Sequence, residues 1–281
     1  MRVAVTGASG FLGGHLSESL LSAGHEVVAV VRTPAKAAWL GCEVRQADLA
    51  SEEALTMAFS GCDAVVSNAA LAVRDRKPSL EEFTAANVEG TLRVLRACST
   101  AGVGSVVGIS TLGVDPDWAW RHLAAITTNT RYLRTKGEGE RQGTALAATR
   151  GLKLVWLRPG PIYGSRDHKV TARYARLARR QTVFAPTVAM PHVHAADVGG
   201  AVVGALASAA EGAYGLAGPA VSLAHLLRVA KRELGVGGRV IPIPLPIRVT
   251  YDDSAARREI GFQPRSIEDG LAEALRGSPG S

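Results

Sequence analysis

A glycine-rich turn near the start of the chain constrains the fold more than any other feature. A strand-like run, Arg2–Thr6, leads into the turn GASGFLG at residues 7–13, and apolar residues at helical spacing follow over residues 15–21. A second apolar run, Glu26–Val31, closes the unit on Arg32. This order of strand, glycine turn, helix and strand predicts a βαβ unit that holds a dinucleotide. The glycines let the backbone approach a pyrophosphate, and the helix N-terminus directs N–H groups at it.

Arg32 indicates which dinucleotide binds. An acidic residue at this position accepts the ribose hydroxyls of NAD, whereas a cation suits the 2′-phosphate of NADP. Ser9, inside the turn, can donate a hydrogen bond to the same phosphate. We therefore expect NADP(H) to be preferred and NAD(H) to be possible; the alternative is that Arg32 is only a solvated charge at a strand end. The turn residues expected to contact the cofactor are Gly7, Ser9, Gly10, Phe11, Leu12 and Gly13.

Composition bounds the class of protein. Of the 281 residues, 47% are hydrophobic and 20% are charged, as in an ordinary globular protein. No apolar run reaches membrane-spanning length, so we expect no membrane partner.

The net charge of +7 means that nucleic-acid binding must be considered. The basic residues are scattered and no DNA-reading motif is present, so we expect no nucleic-acid partner. The basic surface instead suits a phosphorylated cofactor or an anionic substrate.

Neither cysteines nor histidines show metal-binding spacing, so we expect no metal site. The residues concerned are Cys42, Cys62, Cys98, His168, His192 and His194. We interpret the cysteines as small core residues with free thiols, which is typical of a cytoplasmic protein. The first strand begins at residue 2, so we expect no cleavable signal before it.

Predicted strands and helices alternate along the chain beyond Arg32. Strands are expected near residues 39–44 and over 64–67, 104–110 and 152–157, and residues 237–246 are expected to hold a strand and a proline-rich turn. Helices are expected over 79–101, 130–150, 199–210 and 221–234. The alternation predicts an α/β fold, a Rossmann-type doubly wound parallel sheet with the cofactor at the carboxyl ends of its strands. Asp48, Asn68 and Thr111 fall at such ends.

Tyr132 and Lys136 form a candidate catalytic pair. They are four residues apart on a predicted helix, so they share one face. A phenol has a pKa of about 10, and a nearby ammonium lowers it by stabilising the phenolate. A hydroxyl from Thr111 or Ser110 can then orient a substrate oxygen while a nicotinamide moves a hydride.

The motifs together resemble the extended short-chain dehydrogenase/reductase family, also called the NAD-dependent epimerase/dehydratase family. The matching segments are TGASGFLG (6–13), Asp48-Leu49, Asn68-Ala-Ala, Asn87-Val-Glu-Gly-Thr91, Ser110-Thr111, Tyr132-Leu-Arg-Thr-Lys136, LRPGPIYG (157–164), Val193-His-Ala-Ala-Asp197-Val and DDSAARREIGFQP (252–264). They cover nearly the whole chain and keep their order. The resemblance implies an NAD(P)-dependent enzyme that acts on a small carbonyl or alcohol substrate.

The resemblance also implies site residues and an assembly. Thr111, Tyr132 and Lys136 match the catalytic residues, with Lys136 lowering the pKa of Tyr132 and bonding the nicotinamide ribose. Cofactor contacts are implied at Asp48, Leu49, Asn68, Ala69 and Ala70, and at Pro159 through Ile162 against the nicotinamide. Asn87 matches a family position that is either functional or structural. Relatives pair their two long helices across a two-fold axis, so a homodimer is expected.

Three departures from the family pattern shape the functional hypothesis. The spacing from Thr111 to Tyr132 is short, the C-terminal lobe is short, and residues 189–192 replace an arginine with which relatives grip a sugar-nucleotide diphosphate. We expect a dinucleotide-binding core over residues 1–164, to which segments at about 185–210 return, and a smaller substrate lobe formed mainly by residues 165–281.

The favoured function is an NADP(H)-dependent oxidoreductase that interconverts a ketone or aldehyde and an alcohol. A nucleotide-sugar epimerase or dehydratase with the same three residues is the alternative. A non-catalytic NADP-sensing regulator is a further one, although such proteins usually lack the tyrosine or the lysine.

Overall fold

Strands and helices alternate through residues 1–72, 78–118 and 130–276, which are the residues that the computed structural model describes. The strands are β1 (Arg2–Thr6), β2 (Glu26–Val31), β3 (Glu43–Gln46), β4 (Ala64–Ser67), β5 (Ser105–Ile109), β6 (Lys153–Pro159), β7 (Ile162–Tyr163), β8 (Thr182–Pro186), β9 (Ala189–Pro191), β10 (Val193–His194), β11 (Gly212–Leu216), β12 (Ala220–Ser222) and β13 (Arg239–Ile243). The α-helices are α1 (Phe11–Ser22), α2 (Glu52–Phe59), α3 (Leu80–Thr84), α4 (Gly90–Thr100), α5 (Thr130–Arg150), α6 (Val170–Ala178), α7 (Ala195–Ala207), α8 (Leu223–Glu233), α9 (Ser254–Ile260) and α10 (Ile267–Arg276).

Seven of these strands form one parallel sheet in the order β11-β6-β5-β4-β1-β2-β3. The chain moves outward from β1 in one direction through β2 and β3, and it returns to β1's other side with β4. This reversal opens a crevice between the carboxyl ends of β1 and β4, where a doubly wound sheet binds its ligand. The predicted fold class is therefore confirmed.

Apolar side chains bury both faces of this sheet. Leu16 and Leu20, one turn apart on α1, pack with Val198 and Val202 of α7 on one face. Residues of α2, α4 and α5 cover the other face. A separate buried cluster joins α6, α8 and α10 to the small parallel pair β8–β13.

Several element bounds differ from the sequence expectation. The expected single helix over 79–101 contains a π-helical stretch, Ala85–Glu89, between α3 and α4. The third strand starts at Glu43, because Ala38–Leu40 forms a 3₁₀ turn that ends on Gly41 at φ +64°. Helix α7 starts at Ala195, because His194 caps its N-terminus.

The stretch after β5 is only partly described. The indole N–H of Trp118 donates a 2.8 Å hydrogen bond to the carbonyl of Thr250, and its ring lies edge-on to Tyr251. The sequence leaves open whether Trp118 and Trp120 roof a substrate pocket or anchor the chain. Trp118 is an anchor, whereas Trp120 lies outside the described residues. Within the described ranges, every helix is too short or too polar to cross a bilayer.

Candidate active site

The glycine turn between β1 and α1 has the geometry of a phosphate cradle. Gly7 has φ +67°, and a Cβ added there would lie 3.0 Å from Cα of Ala69. A Cβ on Gly13 would lie 2.1 Å from the carbonyl oxygen of Gly7, so only glycine lets α1 approach the strand this closely. Gly10 caps α1 in an extended conformation. The cradle therefore fits a dinucleotide pyrophosphate at the N-terminus of α1.

Thr6 joins the two strands that border this cradle. Its hydroxyl oxygen accepts hydrogen bonds of 3.0 Å from the backbone N–H groups of both Asn68 and Ala69. The side-chain amide of Asn68 donates back to the carbonyl of Thr6 at 3.3 Å. Asn68 and Ala69 are thus held at the predicted place beside the cradle. The sequence does not predict this role of Thr6, because a threonine at the end of a strand belongs to no specific motif.

The predicted cofactor-selecting residue Arg32 lies exposed at the end of β2. Its Nε is 3.9 Å from Oδ2 of Asp48, and the Arg32 side chain is 77% exposed. An exposed pair at this distance contributes little stability, so the guanidinium is available to a ligand. Leu49 packs against the buried cluster on the outer face of the sheet and against Gly90. Leu49 therefore has a packing contact in addition to its expected place near the cofactor.

Helix α5 brings the predicted catalytic lysine to the end of β5. The buried Nζ of Lys136 donates a 2.6 Å hydrogen bond to the carbonyl of Ile109, the last residue of that strand. Ser110 and Thr111 follow immediately. The hydroxyl of Ser110 is buried and has no hydrogen-bond partner among the described residues. Tyr132, one turn before Lys136, is half-buried with its ring 6.3 Å from that of Phe83.

The pKa values at this pair correct one expectation. Burial raises the pKa of Tyr132 to about 12. Burial lowers the pKa of Lys136 to about 8, although the Glu140 carboxylate opposes that shift. The predicted depression of the tyrosine pKa is therefore wrong for this structure. The ammonium bonds the Ile109 carbonyl, and desolvation of the phenolate dominates.

A buried polar network extends from Lys136 toward the C-terminal part of the chain. Glu140, one turn after Lys136, accepts a 2.9 Å hydrogen bond from Nε of Arg158 and a second bond from its Nη2. Nη1 of Arg158 lies 3.0 Å from Oδ2 of Asp115, which also accepts a 2.6 Å bond from the hydroxyl of Tyr251. The helical spacing of Glu140 from Lys136 is the feature of the sequence that indicates its place near the lysine. Arg158 and Asp115 are distant from Glu140 in the sequence, so no local pattern predicts these contacts.

Asn87 holds the loop after β4 against α5. Its carboxamide accepts a 2.8 Å bond from the N–H of Leu71 and donates to the carbonyl of the same residue at 3.1 Å. It also donates to the hydroxyl of Thr135 at 3.3 Å. This double contact fixes the residue that follows Ala69 and Ala70. These contacts support a structural role for Asn87.

The loop expected against the nicotinamide joins β6 to β7, and β7 pairs with β10. Pro159 ends β6 opposite Leu216, and Ile162 pairs with Val193. His194 then caps α7, with Nδ1 accepting from the N–H of Ala196 at 3.3 Å. His194 is buried, so it has a packing and hydrogen-bonding role in this structure.

His168 and His192, the other two histidines considered as metal ligands, differ in exposure. His192 is buried and hydrogen-bonds the hydroxyl of Tyr174 at 2.9 Å, whereas His168 is exposed. Throughout residues 1–72, 78–118 and 130–276, no three metal-ligating side chains converge.

Comparison with known proteins agrees with this geometry. Residues 3–217 match the sequence profile of the NAD dependent epimerase/dehydratase family. The chain is 33% identical over 194 residues to a 2-alkyl-3-oxoalkanoate reductase from Stenotrophomonas maltophilia (strain K279a), a match that covers 64% of this chain and 56% of that protein. It is 32% identical over 188 residues to dihydroflavonol 4-reductase from Zea mays, covering 58% of this chain and 53% of that protein.

The chain thus spans about half the length of the curated relatives that it matches. Among solved structures, the UDP-glucose 4-epimerase of Thermus thermophilus in complex with NAD superposes with a TM-score of 0.78 at 25% identity. That superposition covers 99% of this chain and 98% of the epimerase chain. The profile match begins in β1 and ends just after β11, so it includes the whole parallel sheet. The chain therefore belongs to the NAD-dependent epimerase/dehydratase family.

Proposed function

We propose that this chain is an NADP(H)-dependent oxidoreductase that interconverts a ketone or aldehyde and an alcohol. The observation that carries the proposal is the hydrogen bond from Lys136 to the carbonyl of Ile109. It joins the helix that carries Tyr132 to the end of β5, where Thr111 lies. That strand end belongs to the same edge of the sheet as the glycine cradle.

Each of the three residues has a distinct task in this proposal. A dinucleotide whose pyrophosphate is held by the cradle would supply or accept the hydride through its nicotinamide. Tyr132 donates the proton to the carbonyl oxygen during reduction, and its raised pKa of about 12 keeps the phenol protonated at neutral pH. Lys136 supplies positive charge beside the developing alkoxide below its pKa of about 8. Thr111 positions the substrate oxygen by a hydrogen bond.

Cofactor preference is assigned to Arg32. Its exposed guanidinium can form a charge-assisted, bidentate contact with the 2′-phosphate of NADP. Ser9 in the turn can add a hydroxyl donor. The free thiols Cys42, Cys62 and Cys98 fit a reducing compartment such as the cytoplasm, where we place the protein.

The nucleotide-sugar epimerase alternative is disfavoured by the residues before β10. Residues 189–192, with the sequence AMPH, stand where these relatives carry an arginine. His192 is buried and hydrogen-bonds Tyr174 and the carbonyl of Met190. This segment therefore offers no charged group to a diphosphate. The sensing-regulator alternative is disfavoured because Tyr132 and Lys136 are both present.

A substrate screen tests the proposal. Consumption of NADPH is followed with the wild type and Tyr132→Phe across ketones, aldehydes and sugar nucleotides. We expect wild-type turnover with a carbonyl compound and a loss of about 10²–10⁴-fold in Tyr132→Phe, the usual contribution of general acid catalysis. Equal turnover by both proteins contradicts the mechanism. A tightly retained cofactor with sugar-nucleotide conversion and no net NADPH consumption supports the epimerase instead.

A further inference from the structure

Outside the glycine cradle, the side chain of Arg166 joins three segments of the chain. Its Nη1 and Nη2 atoms donate hydrogen bonds of 2.6 and 2.7 Å to the two carboxylate oxygens of Glu18 on α1. Its guanidinium carbon lies 4.6 Å from the centre of the Trp39 ring. Trp39 belongs to the connection between β2 and β3, and Arg166 follows β7 by three residues. Arg166 therefore links α1, the β2–β3 connection and the segment after β7.

The backbone of Arg166 has the conformation of a constrained residue. Its φ is +64°, in the left-handed region that favours glycine, and it is the one non-glycine residue with a positive φ in the described part of the chain. Such strain persists where surrounding contacts impose it, and it is typical of ligand clamps and active sites. The bidentate ion pair with Glu18 and the stacking on Trp39 are directional contacts of this kind. Arg166 is therefore a built part of this region and not a freely solvated charge.

Helix α1 is shaped to receive the Trp39 ring. Gly14 lies one turn after Gly10, the N-cap of α1. A Cβ at Gly14 would lie 2.7 Å from Cη2 of Trp39, so glycine lets the ring rest directly on the helix. The indole N–H of Trp39 donates a 3.0 Å hydrogen bond to the carbonyl of Lys36. Although Trp39 is 49% exposed, its place is defined by α1, by Arg166 and by Lys36.

The connection that Trp39 anchors is compact and cationic. The N–H of Lys36 donates to the carbonyl of Thr33 at 3.0 Å, and the side-chain amide of Gln46 donates to the carbonyl of Arg32 at 3.1 Å. Arg32 and Lys36 are exposed, and residues 32–42 contain no acidic residue. Arg32 is the residue assigned to the 2′-phosphate of NADP. The anchoring of Trp39 therefore fixes the far end of a segment whose first residue is this arginine.

We propose that Arg166 and Trp39 are positioning residues for the NADP(H) preference, because together they hold the β2–β3 connection on α1 where its cationic side meets the 2′-phosphate. The inference rests on the proposed function, since it uses the assignment of Arg32 to that phosphate. A charge-assisted hydrogen bond needs its donor about 2.7–2.9 Å from the acceptor oxygen, so a small shift of the connection weakens it. NADH has no 2′-phosphate, and its binding does not depend on this placement.

Arg166 acts through the connection and not as a phosphate ligand in its own right. Both of its terminal nitrogens already bond the Glu18 carboxylate, which neutralises its charge. A lysine at this position keeps the positive charge but gives neither the bidentate pair nor the planar stacking on Trp39. Arg166→Lys therefore separates placement of the connection from a direct electrostatic effect on the phosphate.

Isothermal titration calorimetry with NADPH and with NADH tests the inference. Arg166→Met, Arg166→Lys and Trp39→Leu should each weaken NADPH binding by about three- to tenfold, a part of the roughly 10–100-fold that a whole charge-assisted contact contributes. Binding of NADH should stay unchanged in all three. Trp39→Phe keeps an aromatic face for the guanidinium and should retain the wild-type affinity for NADPH. In an Arg32→Met background, Arg166→Met should have no further effect, because the contact that it positions is gone.

Arg257→Met is the matched control. Arg257 also pairs with a carboxylate, that of Asp253, and its guanidinium lies 6.0 Å from the centre of the Phe262 ring. It lies on α9, which packs on α7 and on β11, at the edge of the sheet opposite to β3. The substitution should change the affinity for neither dinucleotide. Thermal unfolding of every variant verifies that the fold is intact.

The outcomes separate this inference from the proposed function. If the wild type binds NADH at least as tightly as NADPH, the cofactor preference in the proposed function is wrong, and this inference falls with it. If the wild type prefers NADPH but Arg166→Met and Trp39→Leu weaken both dinucleotides equally, or weaken neither, only the positioning inference is overturned. Full NADPH affinity in Arg166→Lys also overturns it. Binding needs no turnover, so selective loss of NADPH affinity supports the inference even if the chain reduces no carbonyl compound.

Discussion

The ammonium of Lys136 donates a 2.6 Å hydrogen bond to the carbonyl of Ile109, the last residue of β5. This contact holds a buried cation beside the two hydroxyl residues that follow the strand. Burial raises the pKa of Tyr132, one turn earlier on the same helix. Helix α5 and the sheet are therefore coupled through a charged group whose burial costs stability.

Lys136→Met should abolish turnover and change how stability depends on pH. The folded pKa of Lys136 is lowered to about 8, below its ordinary 10.5. Below pH 8 the native state therefore carries a desolvated charge that opposes folding by up to about 3 kcal/mol, and this cost disappears between pH 8 and 10.5. The Tm of Lys136→Met minus the Tm of the wild type should therefore be larger at pH 7 than at pH 9.5. Thermal unfolding at the two pH values checks this, and an equal difference at both contradicts it.

Glu140→Gln should weaken the buried network and shift the pH–rate profile. Removing the charge leaves Arg158 with Asp115 as its remaining carboxylate partner, and we expect a loss of about 1–3 kcal/mol in the free energy of unfolding. The pKa of Lys136 should fall further, because Glu140 opposes its depression. The rate of the proposed reduction should then decline at a lower pH than in the wild type.

Glu138→Gln is the matched control for Glu140→Gln. It lies on the same helix but pairs with the exposed Arg141, and exposed pairs contribute about 0–1 kcal/mol. Urea unfolding and pH–rate profiles are measured for both variants. Equal effects of the two substitutions would show that burial of the network has no special role.

Arg32→Asp should reverse or erase the preference for NADPH. A charge-assisted contact contributes about 1.5–3 kcal/mol, so we expect NADPH to bind roughly 10–100-fold more weakly. NADH affinity should be retained or improved. Titrations of both cofactors into wild type, Arg32→Asp and the distant surface variant Arg228→Asp check this. Tighter binding of NADH than NADPH by the wild type would refute the assignment.

His194 should make the protein labile to acid. Burial, and to a lesser extent the charge of Arg265, lowers its pKa to about 3 from 6.5. Between about pH 6.5 and 3, His194 is protonated in the unfolded chain but neutral in the native chain. The free energy of unfolding therefore falls as the pH drops from 6.5 toward 3. His194→Asn keeps an acceptor at the helix cap and removes this titration. Urea midpoints between pH 7 and 4 should fall less steeply in His194→Asn than in the wild type or in the exposed variant His168→Asn.

Homodimerisation through the two long helical segments remains a proposal. Helix α5 and the helical run from α3 to α4 pack beside each other on one face of the sheet. Pairing of such helices across a two-fold axis would give about twice 29.3 kDa. Light scattering over a dilution series measures the mass. A constant monomer mass at micromolar concentration would exclude the dimer.

The sequence by itself determined the parts of this protein that depend on neighbours in the chain. The turn at residues 7–13 needs glycine for its backbone geometry, so its spacing predicted the cradle. The strands Glu26–Val31 and Ala64–Ser67 were predicted from short apolar runs, a helix was predicted at about Thr130–Arg150, and the structure has these bounds. The assignments of individual site residues and of the domain boundaries stay predictions.

The tertiary structure decided what depends on residues far apart in the chain. Thr6 and Asn87 gained their roles from backbone groups more than ten residues away, and Glu140 from Arg158 and Asp115. The direction of the Tyr132 pKa followed from burial, which helical spacing from Lys136 does not reveal. The sequence contains the apolar residues of 241–247, but only the folded structure shows that Ile241, Ile243, Leu245 and Ile247 are exposed. Burial and exposure result from packing of the whole chain, so a local pattern does not determine them.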